Sequence, residues 1–561
     1  MPKLALLLAG AATCVLTLTP PADANRPEEL SPYTRYMRAR AADAAGMSDL
    51  AAAQYAAALQ EAPGNMQLAI RAYRQATVAG DKALALSSAR TLDKAGVLPP
   101  DGRLLLLTDA ILNKDWRGAD AMTARIEQDQ VFAFLAPIAR AWIAYGSGKG
   151  DPLAPLSKLS GSALSNAYGA DHRALILIAE GKRADATEII KLRPPGSDIR
   201  DVRPRLLLAQ SFAAAGQRDK ALAILPTGDS ASVAMRARIE AGGRIAAPKI
   251  DAAFGMSQLF AAVAADLNRE RVTPLSLTIA RFALFAAPDN PEAALVTAQL
   301  LTMAARGETA LTVLGQVRAD DPLISGARIA RARIVVSRDE KQAALDEMTQ
   351  VTARPDASVS DWTLLGDIMS GLDRHGEAAD AYGRAITLIP VDAKDDERLW
   401  TLYLLQGSAL EQADRWPEAE KALRKSLALS PEQAVTLNHL GYSMLEHGGN
   451  VAEARGLIER ASMLRPDDAA ITDSLGWAHY LQGDLAAAIP KLEAAAEGEP
   501  GGSDINEHLG DAYWKAGRRI EARYAWAAAK VTADKSAAQR LAGKIADGLE
   551  SAQLGKVAAK P

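Results

Sequence analysis

The sequence predicts an all-α protein, an α-solenoid of antiparallel helix pairs, and three observations carry that prediction. Glycines recur at Gly366, Gly407, Gly441, Gly476 and Gly510, separated by 41, 34, 35 and 34 residues. Prolines keep step with them at Pro390, Pro431, Pro466 and Pro500. The hydrophobic share is 49% but aromatics reach only 5%, because much of the apolar content is alanine, which favours helix and supplies little core volume. A fixed period of this length signals stacked units, none of which buries its apolar face alone. The 561 residues then add up by stacking units rather than by joining separate globules.

At the start of the chain, Met1-Pro2-Lys3 gives a short positive segment, Leu4 to Leu18 is almost wholly apolar, and Pro20-Pro21 ends the run before Ala22-Asp23-Ala24. This layout predicts a secretory signal peptide over 1–24, and with it a periplasmic location in a bacterial cell. The rival is a membrane anchor, for which the apolar run is short. Cys14, the single cysteine, raises an outer-membrane lipoprotein as the lesser alternative, but Thr13 precedes it where lipoproteins carry Gly, Ala or Ser. If Cys14 leaves with the signal, the mature chain has no thiol, which removes disulfides and thiolate metal sites. Mean hydropathy is −0.06, and no later apolar run is long enough to span a membrane.

Residues 25–355 read as helix pairs with an irregular pattern. Ala39, Ala51, Tyr55, Ala58 and Pro63 fit one unit, and Ala298, Ala310, Leu314, Val317 and Pro322 another. Ala209 with Ala221 and Leu225 fits part of a third. Breaks at Pro99-Pro100, Gly146 to Pro152 and Pro194-Pro195-Gly196 read as loops, the last as a bend.

Residues 356–535 hold five clear units. Each places small and large apolar residues at fixed offsets after its glycine: Ala378, Tyr382 and Ala385; Ala419, Leu423 and Ser426; Ala454, Ile458 and Ala461; Ala488, Leu492 and Ala495; Ala522, Trp526 and Ala529. Trp362, Leu365, Gly366 and Met369 show the helical spacing of the first helix of a pair. A glycine inside a helix costs about 1 kcal/mol unless close packing needs it, so the recurrent glycine predicts close approach. The proline stops the second helix. Irregular spacing falls between units, at Val391 to Glu397, and in the Gly448-Gly449-Asn450 turn, where insertions are harmless. Residues 536–561 read as a capping helix carrying Leu541, Ile545 and Leu549, then a disordered tail.

These five in-phase units resemble the tetratricopeptide-repeat (TPR) family, residue by residue over Ser358 to about Thr532. The first half resembles the same architecture with a degraded pattern. The resemblance implies a TPR superhelix whose first helices line a concave groove, and the work of a scaffold or adaptor for other proteins. Runs such as Leu437-Asn438-His439-Leu440-Gly441-Tyr442-Ser443 and Asp473-Ser474-Leu475-Gly476-Trp477 are similar to those of exported proteobacterial members.

Composition and motifs exclude other classes. Net charge is −4, so the chain lacks the basic footprint of a nucleic-acid binder. Gly146-Ser147-Gly148-Lys149-Gly150 lacks the remaining residues of a phosphate loop and reads as a turn. His447-Gly448-Gly449 has no nucleophile elbow to accompany it. His439 and His508 occupy matching places in two units and form no local metal motif, while His479 falls where the family carries a core tyrosine and reads as a satisfied core residue. No catalytic, cofactor or metal residue is assigned, and no enzyme activity is expected.

The candidate partner-binding residues are those rotated away from the repeat core on the first helices: Asn438 and Tyr442; Asp473, Trp477 and Tyr480; Glu507, Asp511 and Trp514. Asp367, Ser408 and Glu411 stand in equivalent places earlier. Trp and Tyr are enriched at binding hot spots. Family members that clamp an acidic C-terminus line this groove with basic residues, whereas Asp473, Glu507 and Asp511 would repel one, so the expected ligand is a protein segment of the cell envelope with apolar anchors and some basic character. The alternatives are an accessory role in outer-membrane or exopolysaccharide assembly, and glycan binding by the aromatic groove.

Overall fold

The structure, a computed structural model, describes residues 31–157, 163–192, 199–226, 229–354, 357–390 and 398–549. The predicted signal peptide with Cys14, the Pro194-Pro195-Gly196 break, the Val391 to Glu397 insertion and the tail after Leu549 lie outside the described residues. Among the described residues there are 30 α-helices and no strand, as the all-α prediction requires. The chain divides into two compact units, residues 1–133 and 134–561.

The first unit holds α1 (Pro32–Ala44), α2 (Ser48–Glu61), α3 (Met66–Ala79), α4 (Lys82–Lys94), α5 (Pro100–Leu112) and α6 (Trp116–Gln128). Each helix packs on the next in sequence. Ala39, Ala51, Tyr55 and Ala58, singled out from their spacing, are fully enclosed between α1 and α2. Side-chain oxygens cap several of these helices, Asn65 on α3, Asp81 on α4 and Asp115 on α6. Each such cap satisfies a backbone donor that the helix itself cannot.

The second unit begins with α7 (Ala136–Ser147), α8 (Ala154–Ser157), α9 (Ala163–Ala179), α10 (Arg183–Lys191), α11 (Ile199–Ala214), α12 (Arg218–Ile224) and α13 (Ser230–Glu240). It continues through α14 (Ala252–Arg269), α15 (Thr273–Ala286), α16 (Pro291–Met303), α17 (Gly307–Leu314), α18 (Ile324–Ser337) and α19 (Lys341–Thr352). Bulk is concentrated here. Trp142, Phe260 and Phe282 are fully buried, and Trp142 Nε1 donates to His172 Nδ1 at 3.0 Å. Gly255 makes room for that indole, since a Cβ there would stand 2.0 Å from it. Gly146 and Ser147 end α7 and Gly148 caps it at φ 66°, so the phosphate-loop lookalike is a helix terminus.

The regular repeats follow as α20 (Val359–Ser370), α21 (His375–Thr387), α22 (Arg398–Gln412), α23 (Trp416–Leu429), α24 (Ala434–Glu446) and α25 (Val451–Leu464). The chain closes with α26 (Ala469–Leu481), α27 (Leu485–Gly498), α28 (Ser503–Lys515), α29 (Arg519–Thr532) and α30 (Lys535–Asp547). Each repeat glycine meets the large residue of its own unit's second helix. A Cβ on Gly366 would stand 2.6 Å from Tyr382, and one on Gly510 would stand 2.4 Å from Trp526. Gly407, Gly441 and Gly476 face Leu423, Ile458 and Leu492 in the same way. Seven residues after each of these glycines the chain turns through a left-handed residue: Asp373, Asp414, Gly448, Gly483 and Gly517. That conformation reverses the chain into the second helix, and Gly and Asp adopt it at least cost.

Candidate functional site

The first helices of the repeats carry two faces of different character. The C-terminal one, over α24, α26, α28 and α30, contains every residue of the candidate set. Its side chains are engaged with one another. Trp477 is sandwiched, its ring 4.6 Å from Tyr480 and 4.1 Å from His508, both near parallel, and its Nε1 donates to Glu446 at 3.0 Å. With both indole faces taken, no stacking surface remains there for a sugar. Tyr442, two units earlier on α24, tilts against His508. His508 Nδ1 donates to Asp473 Oδ2 at 2.8 Å. Trp514 leans on Trp526 and lies under the guanidinium groups of Arg519 and Arg523. Asn438 is half-buried, its Oδ1 without a hydrogen-bond partner.

The expectation of an open acidic lining is corrected by α30. Asp473, Glu507 and Asp511 are buried. Arg540 of α30 clasps Glu507 with two hydrogen bonds, 3.0 and 2.7 Å, and Lys544 reaches Glu507 and both oxygens of Asp511 at 2.7 Å. Trp526 Nε1 donates to Asp511 at 2.8 Å. Burial opposes ionisation of Glu507, but the hydrogen bonds from Arg540 and Lys544 outweigh it and hold the carboxyl down at about 2. Burial outweighs the Lys544 and Trp526 hydrogen bonds at Asp511, which shares the Lys544 ammonium with Glu507, and pushes its pKa up. Burial also works against a charge on His508, yet the Asp473 carboxylate raises the imidazole above its ordinary value. The helix that caps the array thus supplies the cations for Glu507 and Asp511. Only its apolar residues Leu541, Ile545 and Leu549 were informative in the sequence, and they say nothing of Lys544.

One unit earlier, Glu411 accepts from His439 Nε2 at 2.7 Å and lies 3.5 Å from His447 Nε2, while His447 stacks on Trp416 at 4.5 Å. Burial disfavours the charged carboxylate, but the His439 and Ser443 hydrogen bonds prevail and lower its pKa. His479, expected as a satisfied core residue, is half-buried in the last turn of α26 with Nδ1 3.6 Å from Asp484, beyond hydrogen-bond reach. No group of three or more His, Cys, Asp or Glu among the described residues could hold a metal. No described helix is long and apolar enough to cross a membrane.

The second face is an open cleft of about 500 Å³ over α18, α20 and α22. Ile329, Leu364 and Leu402 give it an apolar floor, Ser360, Thr363 and Thr401 add hydroxyls, and Arg333 and Arg398 stand at its rim. Asp367 lines it too, accepting from Tyr382 Oη at 2.8 Å, and burial raises its pKa. Its walls hold together through Ser358, which caps α20 reciprocally with Asp361, and through Ser325 of α18, whose hydroxyl also reaches Asp361 at 3.0 Å. Sequence reasoning found Asp367 but missed the cleft, because its floor uses ordinary apolar residues at core-like spacing.

No protein-family model matches the chain. A TPR repeat-containing protein of Pseudomonas aeruginosa is 27% identical over 196 residues. That alignment takes in 35% of this chain and 30% of the relative, so the chain spans about a third of the curated relative's length. Among solved structures, the Cut9–Hcn1 hetero-tetramer of the APC/C aligns over 81% of this chain and 98% of its own, at 15% identity and a TM-score of 0.37. YrrB, a TPR protein with an unusual peptide-binding site, aligns over 34% of this chain and 95% of its own, at 20% identity and a TM-score of 0.26. MamA from Desulfovibrio magneticus aligns over 31% and 94%, at 17% identity and a TM-score of 0.27.

Proposed function

We propose that this chain, which belongs to the tetratricopeptide-repeat family, is a non-enzymatic scaffold that is exported to the periplasm and grips an extended segment of a cell-envelope protein. The cleft over α18, α20 and α22 carries this reading. It is an unfilled cleft among the described residues, lined by the half-buried Ile329 and by edges of the buried Leu364 and Leu402, whereas most side chains over α24 to α30 already bind each other. An extended segment would set apolar side chains on Ile329, Leu364 and Leu402, and place a carboxylate or backbone carbonyls at Arg333. A few buried anchors supply most of the energy of such a contact. Export rests on the signal-peptide layout of residues 1–24.

A photo-cross-linking residue at Thr363, compared with one at Tyr442, tests the site in envelope extracts. The reading expects a polypeptide adduct from position 363 that Arg333→Glu abolishes. An adduct from position 442 alone would move the site to the C-terminal face. Sequencing the N-terminus of the fractionated protein tests export: a cytoplasmic chain that still begins at Met1 would refute it.

A further inference from the structure

We propose that the outer face of α29 rests on the surface of an anionic phospholipid bilayer. The second helices of the repeats share one register, so their outward positions can be compared directly. Two and six residues after the buried alanine of each unit stand Asp380 and Arg384 in α21, Lys421 and Lys425 in α23, and Gly456 and Arg460 in α25. In α27 they become Pro490 and Ala494, and in α29 Tyr524 and Ala528. At these two positions charge gives way to apolar surface along the array.

Ile520, Tyr524 and Val531 are 70%, 74% and 83% exposed, and the exposed Ala527 and Ala528 lie between the last two. Their spacing puts all five on one stripe of the helix, opposite the buried Ala522, Trp526 and Ala529. Arg519, Arg523 and Lys530 share one flank of that stripe, at i, i+4 and i+11. The guanidinium groups of Arg519 and Arg523 lie 4.8 and 5.1 Å from the Trp514 ring, and Arg523 Nε donates to Ile545 O, so two of these cations are held in place. None of the three has a carboxylate partner among the described residues. The other flank carries Glu521, the one carboxylate of α29, which Arg518 Nε holds at 3.1 Å. Asp534, the next acid in the chain, caps α30 through Ala537 N. The helix therefore presents an apolar stripe with a cationic border.

Charge and shape together select the occupant. The three unpartnered cations are spread from residue 519 to 530, roughly 16 Å of helix. A plane of lipid phosphates meets such a row at every point, and long basic side chains reach it while their stems lie along the apolar layer. The apolar side chains project from a single helix, so a protein would need a groove to receive them. A bilayer needs none, because the apolar face of an amphipathic helix sinks to the headgroup boundary. Tyr524, in the middle of the stripe, is a residue type that favours that boundary. With 14 residues α29 is too short to span the hydrocarbon, so the contact is with the surface.

Vesicle binding read at one residue tests the proposal. In the full chain with Cys14→Ser, an environment-sensitive fluorophore is attached at Val531→Cys, and in a second preparation at Lys421→Cys on the equivalent face of α23. On vesicles of phosphatidylglycerol and phosphatidylethanolamine the label at 531 should shift to the blue and the label at 421 should not. Insertion of residues 4–18 alone would leave both unshifted. Lys530→Glu should raise the lipid concentration for half the shift roughly five-fold or more, Tyr524→Glu should abolish the shift, and Glu521→Gln should lower that concentration. No shift at 531, an equal shift on phosphatidylcholine alone, or a shift unchanged by Lys530→Glu in a chain natively helical by circular dichroism would overturn the proposal. A shift caused by an acidic envelope protein and not by vesicles would also overturn it.

Discussion

The face over α24 to α30 and the cleft over α18 to α22 come from the same layer of helices, yet one is filled and the other open. The filled face is charged and aromatic, and its charged groups bond chiefly inside the chain, although Asn438 Oδ1 is left without a partner. Asp473 holds His508, Glu507 holds Arg540 and Lys544, and Trp526 and Lys544 share Asp511. The open cleft has mostly apolar walls and exposes Arg333 at its rim. Residue types that suggest binding in a sequence are therefore a poor guide when the fold brings complementary partners to them. Buried charges need partners, and a chain that buries them must supply those partners itself.

The largest test of this contrast is Lys544→Ala. It strips the ammonium from Asp511 and leaves Glu507 with Arg540 alone, which should cost about 3–5 kcal/mol. Arg333→Ala, at the open cleft, should shift stability by no more than about 0.5 kcal/mol while weakening the partner adduct. Urea unfolding of the two variants separates the faces, and equal losses would end the distinction. Next in size is Gly510→Ala. Its Cβ must displace the Trp526 ring, which overpacking places at about 1–3 kcal/mol, measurable in the same unfolding series.

Acid and base should act on the filled face in opposite ways. Glu507 has a folded pKa of about 2, below the usual 4.5. Its contribution is therefore complete above about 4.5 and is lost as the pH falls toward 2. His508 has a folded pKa above 6.5, so its contribution is complete below 6.5 and is lost as the pH rises through the folded value. Stability measured against pH should decline at both ends, and His508→Gln should remove the alkaline decline alone. The smallest effect belongs to exposed pairs such as Arg424 with Glu453. Their loss should change stability by less than about 1 kcal/mol and should fade with added salt.

The sequence revealed the helix pairs because the spacing of glycine, alanine and proline is itself the packing. Gly366 with Tyr382 and Gly510 with Trp526 are contacts inside one unit, and a local pattern reports local contacts. The site was harder. Tyr442, Asp473 and Trp477 lie on first helices, but His508, which meets all three, comes from another unit, and the cations on Glu507 and Asp511 come from α30. Lys544 is 33 residues from Asp511, and nothing in the text of a capping helix announces that its lysine points inward. The cleft escaped for another reason. Leu364 and Leu402 are spaced as core residues are and are themselves buried, so their pattern is that of the interior and does not mark the cleft they edge.

The pairing of each repeat glycine with the bulky residue of its own second helix bears on how such a chain can lengthen. Both members of the fit, Gly476 with Leu492 for example, lie within one 34-residue stretch. A tandem duplication of that stretch would carry the lock together with its key. The new copy would need to adjust only where it abuts its neighbours. Substitutions inside a unit face the opposite constraint: Gly510 can gain a methyl group without strain only if Trp526 becomes smaller in the same step.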